Sequence, residues 1–329
     1  MTTIYDVAER AGVSAATVSR VFNGTRVSPA KAQAVREAAL ELGFVPNGNA
    51  RRLRMGSSQI IAVLIPDIEN PFFTALTRGV TDIARAAGYS VMLGNTDESA
   101  ELEAELVAAA VGDSVAGIIV APTTDSTDYT LPLTRGVPVV AVDRDAPLVN
   151  IDVVIADNVD GARQAMKRLK ALGFTRIACI SGPAHVMTAD RRAEGWALEW
   201  QDQHGSPPPD ELCLRVPYSI EGGRMATQSL LRLPEPPDAI LAANNRIAVG
   251  TIRHLMSVGR DLTEFGVASL AELPLILFEP PNLVVLPQPA RRLGTIAAQL
   301  LLERINGSTE PPRTVIVPSE GSETLASSW

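Results

Sequence analysis

Apolar residues near the start of the chain recur at helical spacing in two short windows that a glycine separates. In the first window, Thr3 precedes Asp6 by three residues, which is an N-terminal capping pattern. Gly12 ends that window at a position suited to a left-handed C-cap, and Ser14 opens the second window as another N-cap. The pattern predicts two short helices in a helix-turn-helix, with a helical hairpin packed on an ordinary core as the alternative.

A third helical segment follows, and it carries an apolar stripe able to cover the first two helices. Ser28 and Pro29 form an N-cap followed by proline at the first helical position, and Gly43 is a plausible C-cap. The expected core of these three helices consists of Phe22, Val35, Leu42 and Phe44. Three helices of this size predict a small DNA-binding domain over residues 1–45.

The next segment, VPNGNARRLRMGSS, differs from the helices because it is basic and has few apolar residues that could form a core. An isolated helix of this length is marginal in water. We expect residues 46–58 to be a hinge that becomes helical only against DNA. An exposed linker with incidental arginines is the alternative.

From residue 59 onward, apolar runs bounded by turn residues alternate with amphipathic helical stretches. The run SQIIAVLIP is typical of a buried parallel strand. The further strands expected are YSVMLGN, VAGIIVAP, VPVVAVDR, VVIAD, RIACISG, a strand near 212–216, DAILAAN and LVVLP; the helices are 72–87, 100–112, 158–172, 188–203, 219–232 and 245–258. This alternation predicts an α/β fold with doubly wound parallel sheets in two lobes, which bind ligands between them.

Composition supports a globular protein, since 46% of the 329 residues are hydrophobic and 20% are charged. No apolar run reaches membrane-spanning length, and the polar start MTTIYD lacks the features of a signal sequence, so we expect a cytoplasmic protein. Cys179 and Cys213 lack the spacing of metal ligands, which predicts reduced thiols in or near a core.

The net charge of −8 is unevenly distributed along the chain. Residues 1–55 hold eight Lys and Arg against four Asp and Glu, a net charge of +4, whereas the remainder holds twenty-one against thirty-three, a net charge of −12. A basic head on an acidic body concentrates attraction to phosphates at one end of the protein. The charge distribution therefore favours double-stranded DNA as a partner of the head.

The segments IYDVAERAGVSAATVSRVFNG and VSPAKAQAVREAALELGFVPNGNARRL resemble the lactose/galactose repressor (LacI/GalR) family of bacterial transcription regulators, and the similarity extends to about residue 318. The resemblance implies that the second helix reads base edges through Ala15, Ala16 and Arg20. Arg20 can bond guanine in a bidentate manner, whereas the alanines offer only methyl contacts. The phosphate contacts implied by the resemblance are Tyr5, Ser14, Thr17, Ser19 and Asn23.

The same resemblance assigns roles in the hinge. It implies that Leu53 inserts between base pairs in the minor groove and kinks the duplex, with Asn47, Ala50 and Arg51 lining the approach. It also implies a periplasmic-binding-protein-like sensor and dimerisation core over residues 59–329, in which the chain crosses three times between lobes. The first lobe is expected over about 59–155 and 288–308, and the second over about 156–287 and 312–329. Helix RRLGTIAAQLLLERI would then return to the first lobe and TVIVP to the second.

Residues at the predicted strand ends are the candidate effector contacts that the resemblance implies. They combine aromatic faces with amide, carboxylate and guanidinium groups, the mixture that a sugar requires. The candidates are Asn70, Phe72, Phe73, Asp143, Arg144, Arg192, Tyr218 and Asn244. Two alternatives stay open: both phenylalanines belong to a core, or Asp143 and Arg144 form an ion pair between lobes.

Two departures from the family pattern concern this site. Asn245 stands where relatives usually carry an acidic residue, and the stretch ASLAEL places Leu270 or Ala271 where an aspartate anchors many ligands. Glu272 is a possible substitute for that aspartate. The departures predict an effector less hydroxylated than a simple sugar, or weak or absent ligand control.

These features together predict a dimeric repressor of a catabolic operon that binds a near-palindromic operator and is released or tightened by a sugar or related metabolite. A regulator without an effector, one controlled by a protein corepressor, or an activator is the alternative, and a solute-binding protein is a weaker one. The sequence shows no Ser-His-Asp or Cys-His constellation, and His185, His204 and His254 lack metal-ligand spacing. We therefore expect no enzyme, cofactor or metal site.

Overall fold

The computed structural model describes residues 2–22, 26–44, 58–124, 127–184, 186–273 and 281–319. The chain divides into two compact units, residues 1–58 and 59–329.

The first unit contains three helices, α1 (Ile4–Arg10), α2 (Ala15–Phe22) and α3 (Pro29–Glu41). The capping box that begins α1 is present, because the Thr3 amide donates to the Asp6 carboxylate at 2.7 Å and the Asp6 amide donates to Thr3 Oγ1 at 3.4 Å. The buried core consists of Val7, Ala8, Val18, Val35, Ala38 and Ala39, with Phe22, Leu42 and Phe44 packed against it. The predicted helices and core are therefore confirmed.

Two details of this unit concern its turns. Gly12 adopts a φ of 63° between α1 and α2, a conformation that glycine accepts at little cost. Ser28 precedes α3 as expected, but its side chain makes no capping hydrogen bond, so proline at the first helical position marks this helix start.

The first lobe of the larger unit is built on a sheet of six parallel strands, β1 (Ile60–Ile65), β2 (Ser90–Asn95), β3 (Gly117–Val120), β4 (Val139–Val142), β5 (Asp152–Ala156) and β11 (Thr314–Val317). Their order across the sheet is β11-β5-β4-β3-β1-β2. The central strands are buried on both faces, which explains why β1 is a continuous apolar run.

Helices cover both faces of this sheet: α4 (Pro71–Ala86), α5 (Ala100–Gly112), α6 (Thr130–Thr134) and α11 (Ala290–Ile305). Helices α4 and α11 pack against one face and α5 against the other. Gly79 and Gly294 let α4 and α11 approach closely, since a Cβ on Gly294 would lie 2.0 Å from the Leu76 carbonyl oxygen.

The second lobe has a sheet of five parallel strands, β6 (Ile177–Ser181), β7 (Cys213–Arg215), β8 (Ala239–Ala242), β9 (Gly266–Ser269) and β10 (Leu283–Val285). The strand order is β10-β9-β8-β6-β7. Its helices are α7 (Asn158–Ala171), α8 (Met187–His204), α9 (Ile220–Leu230) and α10 (Asn245–Ser257), which pack in the pairs α7–α8 and α9–α10. Strand β9 and helix α6 are two elements that the sequence pattern did not predict.

The chain passes between the lobes after β5 and after β10. Ser319, two residues after β11, donates to the carbonyl oxygen of Asp157 at the first passage. Helix α11 packs in the first lobe as predicted. Strand TVIVP was predicted for the second lobe, and this is wrong, because β11 pairs with β5 at the edge of the first sheet.

The position of β11 has a physical cause in a buried carboxylate. Asp152 begins β5 and accepts hydrogen bonds from Arg304 Nε at 2.6 Å and from the Arg313 amide at 2.9 Å. Arg304 lies in the last turn of α11, and Arg313 immediately precedes β11. The carboxylate therefore holds the strand beside the helix that precedes it. Among the described residues, no helix is long and apolar enough to cross a membrane.

Candidate functional sites

The first site is the exposed side of α2 in the small unit. Ser14 starts this helix, since its Oγ accepts a hydrogen bond from the Thr17 amide at 3.2 Å and lies 3.0 Å from Thr17 Oγ1. Val18 anchors the opposite side of the helix in the core. Ala16 and Arg20 are exposed, so both are accessible to a partner.

The remaining predicted DNA contacts divide by burial. Tyr5 is 73% exposed and Ser14 is exposed, whereas Thr17 and Ser19 are partly buried. Ala15 packs partly against the core of the unit, so its methyl group is less available than that of Ala16. The other predicted contacts, Asn23, Asn47, Ala50, Arg51 and Leu53, lie outside the described residues.

The second site is a cavity of about 390 Å³ between the two lobes, at the carboxyl ends of both sheets. Its volume is in the usual range for small-molecule sites, and its position follows the rule for open α/β sheets. It is lined by all the predicted effector contacts: Asn70, Phe72, Phe73, Asp143, Arg144, Arg192, Tyr218 and Asn244. The structure therefore brings these residues together.

The loop after β1 and the start of α4 form one wall of this cavity. Asn70 caps α4, because its Oδ1 accepts a hydrogen bond from the Phe72 amide at 3.1 Å. Phe72 and Phe73 form an edge-to-face pair with ring centroids 5.0 Å apart. Phe73 is buried in the first-lobe core, whereas Phe72 is only partly buried. Both rings thus have packing roles, and Phe72 presents the more accessible surface.

Asp143 and Arg144 follow β4 and lie together in the first lobe. The Arg144 guanidinium makes a two-pronged bond to Glu98, with distances of 2.8 and 2.7 Å, and a looser contact of 3.8 Å to Asp143. The alternative of an ion pair between lobes is therefore wrong. Asp143 has a φ of 66°, which turns the chain sharply at the strand end.

Burial changes the ionisation of both groups. Desolvation raises the pKa of Asp143 above its ordinary value, although Arg144 and Arg192 oppose the shift. Burial alone would lower the pKa of Arg144, but the bond to Glu98 raises it above its ordinary value. A hydrogen-bond donor from a ligand would therefore stabilise the charged form of Asp143.

Arg192 faces this carboxylate from helix α8 of the second lobe. Its Nε donates to Asn158 Oδ1 at 2.7 Å, and its Nη1 donates to the Ala243 carbonyl oxygen at 2.6 Å. These two bonds hold a buried guanidinium in one orientation. A hydroxyl group between Asp143 and Arg192 could donate to the carboxylate and accept from the guanidinium.

Tyr218 and Asn244 complete the second-lobe wall. Tyr218 lies against Gly182 so closely that a Cβ there would be 2.3 Å from Cζ of the ring. Burial raises the pKa of Tyr218, so the phenol stays protonated and can donate a hydrogen bond. Asn244 caps α10 by accepting from the Ile247 amide at 2.9 Å, which fixes the orientation of its amide.

The floor of the cavity beyond β9 is apolar. Leu270 and Ala271 line it, and both are buried. Ser269 Oγ donates to the Ala271 carbonyl oxygen at 2.8 Å, which fixes the turn that presents them. Glu272 is exposed and borders a smaller neighbouring pocket instead of the main cavity. It therefore does not replace the missing aspartate in this arrangement.

The structure adds cavity residues that sequence reasoning missed, among them Asn95, Glu98, Thr188 and Gln288. Asn95 ends β2 and accepts a hydrogen bond from the Ile68 amide at 2.9 Å. The rule that identified Asp143 from a strand end applies equally to Asn95. Gln288 lies in a passage between lobes, a position that only the folded chain reveals.

Asn245 and Arg246 of the second lobe make direct contacts with the first lobe at the mouth of the cavity. Asn245 Nδ2 donates to Asn70 Oδ1 at 3.0 Å. Arg246 Nη2 lies 3.1 Å from Asp67 and 3.0 Å from Glu69. The departure from the family pattern at Asn245 therefore makes this hydrogen bond between the lobes possible, because an ionised aspartate there could not donate it.

A helix-turn-helix unit combined with a two-lobed α/β core that encloses a polar cavity defines a class of DNA-binding regulators with a sensor domain. Residues 3–47 match the family described as bacterial regulatory proteins, lacI family. Residues 58–325 match the periplasmic binding proteins and sugar binding domain of the LacI family. The chain belongs to the LacI family of bacterial transcription regulators.

Individual relatives agree with this assignment. The ribose operon repressor of Halalkalibacterium halodurans is 35% identical, with 93% of this chain and 91% of the relative covered. The repressor CytR of Escherichia coli is 30% identical, with coverages of 93% and 90%. The lac repressor dimer bound to operator and the anti-inducer ONPF has a TM-score of 0.83 at 26% identity, with coverages of 97% and 96%.

Proposed function

We propose that this protein is a dimeric repressor that binds a near-palindromic operator and whose affinity for DNA is set by a small molecule in the interlobe cavity. The observation that most directly supports this proposal is the cavity, which is lined by Asp143 of one lobe and Arg192 of the other. A ligand that bonds both groups gains more from closed lobes than from open ones. That difference in affinity is what a regulatory ligand requires.

The DNA-binding part of the proposal rests on α2. Exposed Arg20 supplies the base contact, Ala16 supplies a methyl contact, and the polar residues around Ser14 position the helix on phosphates. The hinge contacts Asn47, Ala50, Arg51 and Leu53 remain part of the proposal on sequence grounds. Dimerisation fits a two-fold operator, and the lac repressor neighbour is a dimer on its operator.

The cavity also indicates the chemistry of the effector. Asp143, Arg192 and Tyr218 serve hydroxyl groups, whereas the Leu270–Ala271 floor offers no side-chain partner to a polar group. A hydroxyl buried against that floor would lose its hydration without compensation. We propose that the effector is a sugar-like molecule with one apolar side, such as a deoxy sugar or a nucleoside. We also propose that the protein acts in the cytoplasm, needs no cofactor and catalyses no reaction.

Thermal denaturation with a panel of sugars, deoxy sugars, polyols, nucleosides and organic acids tests this proposal. The ligand that stabilises the protein should also change its affinity for an operator selected from random DNA. Tyr218→Phe retains the packing on Gly182 and removes only the hydroxyl group, so it is the milder partner of Tyr218→Ala. A ligand whose stabilising effect survives in both Arg192→Ala and Tyr218→Ala would place the site elsewhere.

A regulator that closes without an effector is the second candidate. It is favoured by the contacts of Asn245 and Arg246 with the first lobe, because neither contact requires a ligand. In that case no member of the panel would alter DNA affinity, although the protein would still select an operator. Operator binding measured with and without the panel separates the two candidates.

A further inference from the structure

The two cysteines of the chain are direct neighbours in the second-lobe sheet. Cys179 lies on β6 and Cys213 on the edge strand β7, and the two residues are register partners in the parallel pairing. Adjacent strands are about 4.8 Å apart, which is within the Cα–Cα range of about 4.4–6.8 Å that disulfides occupy. Both cysteines are free thiols.

The two thiols occupy different environments, and these give them different chemical roles. Cys179 is fully buried, whereas Cys213 is partly exposed. The interaction with Cys213 and burial raise the pKa of Cys179. The same interaction lowers the pKa of Cys213, Arg215 acts in the same direction, and burial and Asp210 oppose it. The accessible sulfur is therefore also the one that ionises more readily.

We propose that Cys179 and Cys213 form a reversible thiol–disulfide site that reacts with low-molecular-mass disulfides such as oxidised glutathione. The Cys213 thiolate attacks one sulfur of the oxidant, whose S–S bond breaks and releases one glutathione thiolate. The Cys179 thiol transfers its proton to that thiolate and attacks Sγ of Cys213, which displaces the second glutathione as a thiolate. This thiolate takes up the proton that Cys213 released when it ionised. Two cysteine thiols are oxidised to one disulfide, and one glutathione disulfide is reduced to two thiols.

The pair lies on the two strands that lead into the second-lobe wall of the cavity. Strand β6 continues to Gly182, strand β7 continues to Tyr218, and these two residues are in close contact. A covalent link between the strands would fix β7, which is a short edge strand of three residues. The link would thereby restrain Tyr218, and this consequence for effector binding rests on the proposed function.

Mass spectrometry of the full-length protein tests the site without reference to any effector. Reduced protein is equilibrated with glutathione buffers of increasing oxidised fraction and quenched with N-ethylmaleimide in denaturant, so that the buried Cys179 also reacts. The intact mass is then measured. We expect two alkylated cysteines at the reducing end and none at the oxidising end, where the mass is lower than that of the reduced protein by two hydrogen atoms. Two alkylated thiols throughout, or glutathione adducts alone, would overturn the proposal.

Two single variants identify which thiol attacks first. The reaction of Cys179→Ala should stop at a glutathione adduct on Cys213, whereas Cys213→Ser should carry no glutathione adduct on the buried Cys179. An adduct on Cys179 in the second variant would overturn the assignment of Cys213 as the attacking thiol. The wild-type titration decides whether the disulfide forms even if Cys179→Ala does not fold.

Hydrogen exchange of the oxidised and reduced wild type tests the restraint on Tyr218. Backbone amides of residues 213–219 should exchange more slowly in the disulfide form. Unchanged exchange despite a complete disulfide would overturn the link to the cavity wall. Because this measurement needs no ligand, its failure differs from a failure of the proposed function, which would show only in the effector panel.

Discussion

Arg20 is the side chain on which, in the proposed function, base recognition by α2 chiefly depends. It is exposed, and the neighbouring Ala15 and Ala16 cannot hydrogen-bond bases through their side chains. Arg20→Ala should therefore weaken discrimination at one base pair of each half-site by roughly 1–3 kcal/mol. Fluorescence anisotropy with a selected operator and its single-base variants, at one fixed salt concentration, measures this loss.

The matched control for this prediction is Arg10→Ala. Arg10 also carries a positive charge on the small unit, but it lies on α1 in an exposed ion pair with Glu41 at 2.6 Å. Its removal should affect all DNA sequences alike. If Arg20→Ala left the base preference unchanged, another residue would have to carry the recognition.

Asp143 illustrates a conflict between stability and ligand binding at a single residue. Burial raises its pKa above the ordinary value of 3.8, so the folded protein binds a proton more tightly than the unfolded chain. The stabilising effect of this proton is present at low pH and is lost as the pH rises through the raised pKa. Above the ordinary pKa, the cost of ionising this buried group therefore lowers the stability of the ligand-free protein.

Asp143→Asn should consequently raise the melting temperature near neutral pH and flatten its dependence on pH above 3.8. Asparagine also accepts the positive φ at this position. The same change should weaken an effector that donates a hydroxyl to the carboxylate. Thermal melts across a pH series, with and without ligand, check both effects; a lower melting temperature without ligand would contradict the prediction.

At the scale of elements, Asp152 decides where the last described strand is placed. It is 1% exposed and joins β5, α11 and β11 through Arg304 and the Arg313 amide. Asp152→Asn should lower the free energy of unfolding by about 3 kcal/mol, since it leaves a largely buried arginine without its anion. Urea denaturation followed by circular dichroism measures this change.

The pH dependence of this contact has the opposite sign to that of Asp143. Burial acts to raise the pKa of Asp152, but the bonds from Arg304 and Arg313 outweigh it and lower the pKa. The stability from this group is present above the ordinary carboxyl pKa and is lost as the pH falls through the lowered one. Glu303→Gln is the control, because this exposed partner of Arg313 should contribute less than about 1 kcal/mol.

The elements that sequence predicted well are those whose signal is local. Helix caps such as Thr3 and continuous apolar runs such as β1 depend on neighbouring residues, and the structure contains them. The lobe of β11 depends on Asp152, which is about 160 residues distant in the chain, so periodicity carries no signal for it. The cavity shows the same division: strand-end residues were predicted, whereas Gln288 and the bond between Asn245 and Asn70 were not.

At the scale of the larger unit, the contacts of Asn245 and Arg246 that join the two lobes at the cavity mouth are individually weak. One neutral hydrogen bond contributes about 1 kcal/mol, and a partly exposed ion pair contributes about 0–1 kcal/mol. The bond between Asn245 and Asn70 and the pairs of Arg246 with Asp67 and Glu69 therefore bias closure by only a small free energy. A ligand of modest differential affinity can then shift the equilibrium between open and closed lobes.

Two isosteric substitutions distinguish the effect of the bond between Asn245 and Asn70 from the effect of the cap that Asn70 provides for α4. Asn245→Asp removes the donor and sets a carboxylate near Asn70 Oδ1, so the lobes of the ligand-free protein should open. Asn70→Asp keeps an acceptor for both Asn245 and the Phe72 amide, so it should leave closure intact. Small-angle X-ray scattering should accordingly give a larger radius of gyration for the first variant alone.

Because ion pairs weaken as the salt concentration rises, the salt dependence of lobe closure is an independent test of these mouth contacts. Rising ionic strength screens Arg246 from Asp67 and Glu69, so closure of the ligand-free wild type should weaken with salt. Arg246→Gln should lower closure at low salt and abolish that dependence. If Asn245→Asp, Asn70→Asp and the wild type scattered alike at every salt concentration, the mouth contacts would not control closure, and the cavity residues alone would have to do so.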